Sequence, residues 1–398
     1  MNLKTERAAT TAIFFANGLG IGAWAVEVPQ VKQALSLTDA SLGIALFAFA
    51  LGAIIAMPLA GRLAPRFGSG RTTALFGIAF FCALPLPALV PNLPLLWLVL
   101  LALGASNGAL DVSMNGHASA IERQWQAPIM SSFHAAWSAG GLTGAALGAA
   151  IQTHGIGAVS GHPGLMGLLL PDSVIGMLVL GSMILALKDI GPRESESTGG
   201  LMLPSAGVMR LAALAFLCML VEGAIADWSA VFLRSALAGQ AGSAALGYSS
   251  FAFAMAACRV VGDTAIRRLG PASVVATGGI LAALGLALVL GFTNAITACA
   301  GFAMVGIGLA NVVPVIFSAA GRSTTTPAVG VSMAATAGYA GFLVGPPLIG
   351  FAAGLFSLRI SLCTLLLATL AVGVWGGRSV RTSLAGHPSS GREVSGCN

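Results

Sequence analysis

The chain alternates long apolar runs with short polar breaks from one end to the other. The runs fall at 8–28, 40–60, 72–90, 95–115, 129–151, 169–187, 209–231, 244–262, 272–292, 295–317, 327–350 and 357–376. Each is about 20 residues long, the length a helix needs to cross a hydrocarbon core of about 30 Å. The pattern therefore predicts twelve membrane-spanning helices. One break differs from the others. Lys188 to Arg210 contains the polar, Gly- and Ser-bearing stretch GPRESESTGG (191–200) and follows the sixth span. It predicts a six-helix half over 1–190, a linker over 191–208, a second six-helix half over 209–380 and a tail over 381–398.

Composition narrows the class. Of 398 residues, 57% are hydrophobic and 8% charged, with a mean hydropathy of +0.91. A soluble domain carries about 25% charged residues. A soluble enzyme, a nucleic-acid binder and a secreted disulfide scaffold are therefore excluded. The 53 glycines, roughly twice the usual share of about 7%, suit helices that pack closely in lipid. The formal charge of +6 reads as topology. Of the 19 Lys and Arg residues, 16 fall on the side that holds both termini, and Lys32, Arg234 and Arg359 fall on the other. This bias predicts cytoplasmic termini. The first run lacks a small-residue cleavage site before Glu27 and Pro29, so it is read as a span rather than a signal peptide. The six cysteines are scattered without C-x-x-C spacing, so no metal site or cofactor is expected.

The halves repeat weakly. Gly61, Arg62, Arg66, Gly68 and Arg71 lie between the second and third runs, and Gly262, Asp263, Arg267 and Gly270 lie between the eighth and ninth. Asn17-Gly18 precedes Trp24 in the first run, as Glu222-Gly223 precedes Trp228 in the seventh. Pro128 and Pro327 open Gly-rich fifth and eleventh runs. Repeated halves are how transporters build a midplane site that opens to each side in turn.

With these features the chain resembles the major facilitator superfamily. The segments 111–141, 222–234, 310–322 and 338–350 are similar to its bacterial YbjJ-like, fucose-permease-like branch. The resemblance implies an all-α fold of twelve helices in two pseudo-symmetric halves. It also implies location in a bacterial cytoplasmic membrane and a secondary transporter with alternating access. It treats the two Gly/Arg-rich segments as cytoplasmic loops with a gating role. Where the superfamily's first loop has an acid, this chain has Pro65, which leaves Asp263 to carry the charge pairing in the second half.

Ionisable side chains inside a span are costly and mark pathways or partners. Four are candidates for proton coupling: Glu222 near the middle of the seventh span, Asp111, His134, and Glu27 at the end of the first. Asn107, Asp111 and Asn115 recur every four residues and share a helical face, and Ser131, His134 and Ser138 share another. Glu222 and Asp227, five residues apart, do not. Asp111 and His134 lie toward the cytoplasmic ends of their spans, where gating is the rival role. The candidates for substrate contact are Asn17, Trp24, Asn107, Trp137, Asp227, Trp228, Asn311, Ser332, Thr336 and Tyr339. Their indole faces and hydrogen-bonding groups suit a hydroxylated solute. Trp97, Trp125 and Trp375 suit interfacial anchoring.

The expected partners are a small-molecule substrate, protons and the lipid bilayer, with no nucleic acid, and the chain is expected to act as a monomer. The leading expectation is proton symport of a small, neutral, sugar-like solute. Proton-antiport efflux of drugs or metabolites is the first alternative, and a non-transporting sensor on the same scaffold is the second. No nucleophile–base pair, metal cluster or phosphate loop suggests an enzyme.

Overall fold

The computed structural model describes residues 3–37, 39–154, 176–177, 205–236, 244–292 and 294–385. The helices are α1 (Leu3–Ala34), α2 (Asp39–Phe67), α3 (Ser69–Ala83), α4 (Leu93–Trp125), α5 (Met130–His154), α6 (Ala206–Ala236), α7 (Ala244–Leu269), α8 (Pro271–Gly291), α9 (Ala295–Leu309), α10 (Val312–Arg322), α11 (Pro327–Leu355) and α12 (Leu358–Ala385). No strand occurs among the described residues. Nine stretches among them are long and apolar enough to cross a membrane. The predicted sixth span lies outside the described residues apart from Gly176 and Met177, which are helical. So does most of the predicted linker. α6 opens at Ala206, inside the predicted linker, and α12 runs five residues into the predicted tail.

Two expectations are corrected. The Gly/Arg-rich segments are not loops. α2 continues through Gly61, Arg62 and Arg66 to Phe67, and α7 continues through Gly262, Asp263 and Arg267 to Leu269. A backbone leaving lipid keeps its own hydrogen bonds, so the helix ends only where one residue can leave it. Gly68 (φ 93°) and Gly270 (φ 81°) are those residues, and their positive φ costs a glycine little. The turns are consequently one residue long. The tenth span is also not one helix. It divides at Ala310–Asn311 into α9 and α10, and Pro314 occupies the first turn of α10, where its missing N–H has no helical partner to lose.

Within the halves, α1 lies along α5 and α2 along α4, while α6 lies along α11 and α8 along α12. Between lipid-bathed helices there is no hydrophobic drive, so close backbone approach supplies the attraction. Gly18 and Gly22 of α1 meet the backbone of Trp137 and Gly141 on α5, and Gly341 and Gly345 of α11 meet that of Phe216 and Leu220 on α6. Each half has its own apolar core. The core of the second half extends across the boundary to Met57 and Ala60 of α2 and Ala109 and Val112 of α4. The halves are joined where α2, α4 and α5 face α7, α10 and α11.

Candidate functional site

One end of the boundary between the halves is sealed by polar contacts. Glu122, in the last turn of α4, is buried and accepts hydrogen bonds from the backbone N–H groups of Ile129 and Met130, both at 2.9 Å. Its other oxygen receives the Ser318 hydroxyl and pairs with Arg322 at 3.1 Å, both from α10 of the opposite half. Arg123 donates to the Gly321 carbonyl at 3.0 Å. The Ser132 N–H donates to Asp263 at 3.2 Å, and Arg7 donates to the Ser132 hydroxyl at 3.3 Å. Small residues complete the closure. The Ser332 hydroxyl donates to the Met57 carbonyl at 2.8 Å beside Gly61, and a Cβ on Gly116 would lie 2.8 Å from Ala328.

Further along the helices, a chain of amides and aromatics reaches the boundary. The Trp137 indole N–H donates to Asn17 at 2.9 Å and the Asn17 amide donates to Asn107 at 2.9 Å, with the Tyr339 hydroxyl of α11 close to Asn107. α1, α4 and α5 are thereby linked beside α11. Asp111 lies one turn from Asn107, within electrostatic reach of Tyr339, and accepts a 3.2 Å hydrogen bond from Asn115. Its second carboxylate oxygen is buried without a hydrogen bond from the described residues.

A second group gathers on α6 and α7. Arg259 is only 7% exposed and is held by the Ala310 carbonyl at 3.1 Å and the Ser138 hydroxyl at 2.9 Å. The Ala310 acceptor lies at the α9–α10 break. Glu222 faces Arg259 within electrostatic range, without a direct ion pair, and its Oε1 lies 3.6 Å from the Cys218 thiol. Tyr248 is within range of Glu222, Arg259 and Asp227. His134 packs between Phe14 of the first half and Phe317 of the second, with ring centroids 5.7 and 6.0 Å away, and its Nε2 has no hydrogen bond among the described residues.

The remaining candidates have other surroundings. Glu27, placed near a surface by its position in the first span, is fully buried, and Trp24 is buried as well. Asp227 is exposed. Trp228 donates to the Pro346 carbonyl at 2.9 Å and packs on Gly350. Asn311 is buried against Gly262 and reaches the Cys258 carbonyl at 3.5 Å. Thr336 has a buried hydroxyl without a hydrogen-bond partner among the described residues, while Ser332 belongs to the seal. Arg62, Arg66, Arg71 and Arg267 are exposed.

Glu122, Ser318, Arg322 and Tyr248 are not marked by the sequence pattern. Glu122 stands in a charged run, IERQWQAP, that reads as a solvated turn. The one available signal is its distance to Pro128, which lets its carboxylate reach the first N–H groups of α5.

The chain is 35% identical over 372 residues to an uncharacterized MFS-type transporter of Yersinia pestis, covering 92% of this chain and 94% of the relative. It belongs to the major facilitator superfamily. No family model matches the sequence. A second relative, the membrane protein MosC of Rhizobium meliloti, is 37% identical over 91% of this chain and 86% of its own length. The MFS fold is shared with the Escherichia coli fucose:proton symporter FucP (TM-score 0.77, 16% identity, 94% of this chain and 98% of that one). It is shared too with the proton:xylose symporter XylE (TM-score 0.79, 12% identity, 95% and 96%). The protein is thus a multi-pass membrane transporter of the MFS type.

Proposed function

We propose that this MFS transporter carries a small, neutral, hydroxylated solute together with protons, through a site between its halves. The Trp137–Asn17–Asn107–Tyr339 chain carries the reading. It offers amide and phenol groups that donate and accept at once, which is what a polyol or sugar requires, and Tyr339 belongs to the second half while the others belong to the first, so a solute bound among them would contact each. Trp137 adds an aromatic face. Asp111 lies beside this chain and Glu222 lies on α6 near Arg259, and each carboxyl is a group that can take up and release a proton. Glu222 is the coupling group we favour, because Arg259 faces it without an ion pair. Protonating Glu222 weakens that attraction, and reorientation follows when the pair is relaxed.

The sealed end carries the Gln126–Pro128 turn, which the charge bias assigns to the cytoplasm. The conformation is therefore read as closed to the cytoplasm. The likeness of fold to two sugar:proton symporters supports the same direction of transport.

External pH in lightly buffered cells expressing the protein, challenged with a panel of neutral sugars, tests this reading. Alkalinisation on adding one sugar, lost in Glu222→Gln, supports symport with coupling on α6. Alkalinisation that survives Glu222→Gln moves coupling to Asp111 or Glu27. Acidification with cationic drugs instead supports antiport.

A further inference from the structure

A proline decides what the break at Ala310–Asn311 leaves behind. In an unbroken helix the residue at 314 would donate its N–H to the Ala310 carbonyl. Pro314 has no N–H, so that carbonyl needs another donor, in a segment buried from water. Arg259 of α7 supplies it, through its Nε at 3.1 Å. The preceding residue completes the grip. The Cys258 carbonyl accepts from the Asn311 amide at 3.5 Å, and Gly262, one turn on, leaves room for Asn311 against α7. Both residues of the break are thus held by α7.

The Arg259 guanidinium has a second acceptor, the Ser138 hydroxyl of α5 at 2.9 Å, which lies across the boundary between the halves. This arrangement mirrors the seal. Glu122 accepts from Met130 at the start of α5 and from Ser318 of α10. Arg259 donates to Ser138 further along α5 and to Ala310 just before α10. Met130 to Ser138 and Ala310 to Ser318 each cover eight residues, about 12 Å at 1.5 Å per residue. The lines of α5 and α10 are therefore tied at two matching levels. An acid of the first half makes one tie and a base of the second half makes the other. Each keeps a contact within its own half and extends one across.

We propose that Arg259 is a positioning residue for the seal. It clasps the α9–α10 break to α5, and so fixes the line along which α10 brings Ser318 and Arg322 to Glu122. Leverage makes the clasp matter. Arg322 lies eleven residues beyond Asn311, about 16 Å of helix, so a tilt of about 10° at the break carries it about 3 Å. The 3.1 Å contact with Glu122 does not survive such a shift. Parting of the halves at this end releases Ser138 from Arg259 together with Ser318 and Arg322 from Glu122, while Ala310 stays bonded and keeps the break in order. The rival role for Arg259 is charge balance, since Glu222 faces it within electrostatic range. The clasp does not depend on which solute is carried.

Thiol labelling in the seal tests the assignment on the full-length protein in permeabilised cells. Residue 119 packs on Gly321, so maleimide labelling of Ser119→Cys, above that of the protein without this change, reports how often this end opens. All variants are compared in a Glu222→Gln background, so that loss of Arg259 leaves no carboxylate without its cation. Arg259→Ala should raise the labelling rate several-fold. Pro314→Ala gives position 314 an N–H for the Ala310 carbonyl, and in that background the acceleration by Arg259→Ala should largely disappear. Ser138→Ala removes only the contact across the boundary, and should accelerate labelling equally with or without Pro314. Matching helical circular dichroism shows that the variants compared are folded. Equal acceleration by Arg259→Ala in both backgrounds would place its role away from the break and overturn the proposal. An unchanged rate in Arg259→Ala would overturn it as well. Should Arg259→Ala not accumulate, Ser138→Ala decides, because an unchanged rate there leaves no clasp between the break and α5.

Discussion

Glu122 on α4 and Arg322 at the end of α10 meet at 3.1 Å across the boundary between the halves. The pair is unequal. Glu122 is 1% exposed, whereas Arg322 is 38% exposed and reaches it from the water side. The same carboxylate also accepts two N–H groups at the start of α5 and the Ser318 hydroxyl. It therefore serves as a remote cap for one half while latching the other. Opening this end leaves α5 capped, because among the Glu122 contacts only those to Ser318 and Arg322 cross the boundary.

Glu122→Ala is expected to loosen the seal and the α5 terminus together. It strands two buried N–H groups, at about 1–3 kcal/mol each before water enters. A cysteine placed at Ser119, which packs on Gly321 in the seal, should react with maleimide at least several-fold faster in that background. Arg322→Ala should have a smaller effect, since water already screens its guanidinium. An unchanged labelling rate in Glu122→Ala would remove the latch role.

The Asn17–Asn107 contact predicts a split between binding and folding. Asn17→Ala removes the acceptor of the Trp137 indole and the donor to Asn107, leaving both partners unsatisfied near the midplane. Solute uptake should fall by at least tenfold, with the protein still present in the membrane. Asn17→Asp, which keeps the acceptor for Trp137 but loses the donor to Asn107, should retain part of it. Uptake assays against immunoblotted protein levels separate these outcomes.

The seam between α6 and α11 should not tolerate side chains. A Cβ on Gly345 would lie 2.5 Å from the Leu220 carbonyl oxygen, and backbone atoms cannot move aside as a flexible side chain can. Gly345→Val should lower the melting temperature of detergent-solubilised protein by several degrees or prevent its accumulation. Gly354→Ala, with open space around its position, should do neither.

Orientation is checked by impermeant thiol reagents. Ser36 lies in the turn after α1, and Gln126 in the turn after α4. With cytoplasmic termini, Ser36→Cys should label in intact cells and Gln126→Cys only after permeabilisation. The opposite pattern would invert the topology and the side inferred to be sealed.

Much of the fold can be read from the sequence because lipid imposes a simple rule: apolar runs of about 20 residues must close their own hydrogen bonds as helices. Composition and charge bias then supply the membrane class and an orientation. The repeated Gly-Arg segments are also visible, but their reading as loops is misleading, because polarity marks where a helix leaves lipid and not where it ends. Only Gly68 and Gly270, by their positive φ, end it.

The polar residues of the candidate site divide along the same line. Asn17, Asn107, Asp111, Trp137, Glu222 and Tyr339 stand out in the sequence because a polar group in a span is costly and therefore informative. Which of them meet could not be read there, since Asn17 and Asn107 are 90 residues apart and belong to different helices. Glu122 and Arg322 are not singled out there, because charges at a helix end cost little in water and so do not stand out. The sequence by itself determined the solvent each segment faces, which is a local property of its side chains. Only the tertiary structure decided which charges are partners, because that depends on how two independently packed halves lean on one another.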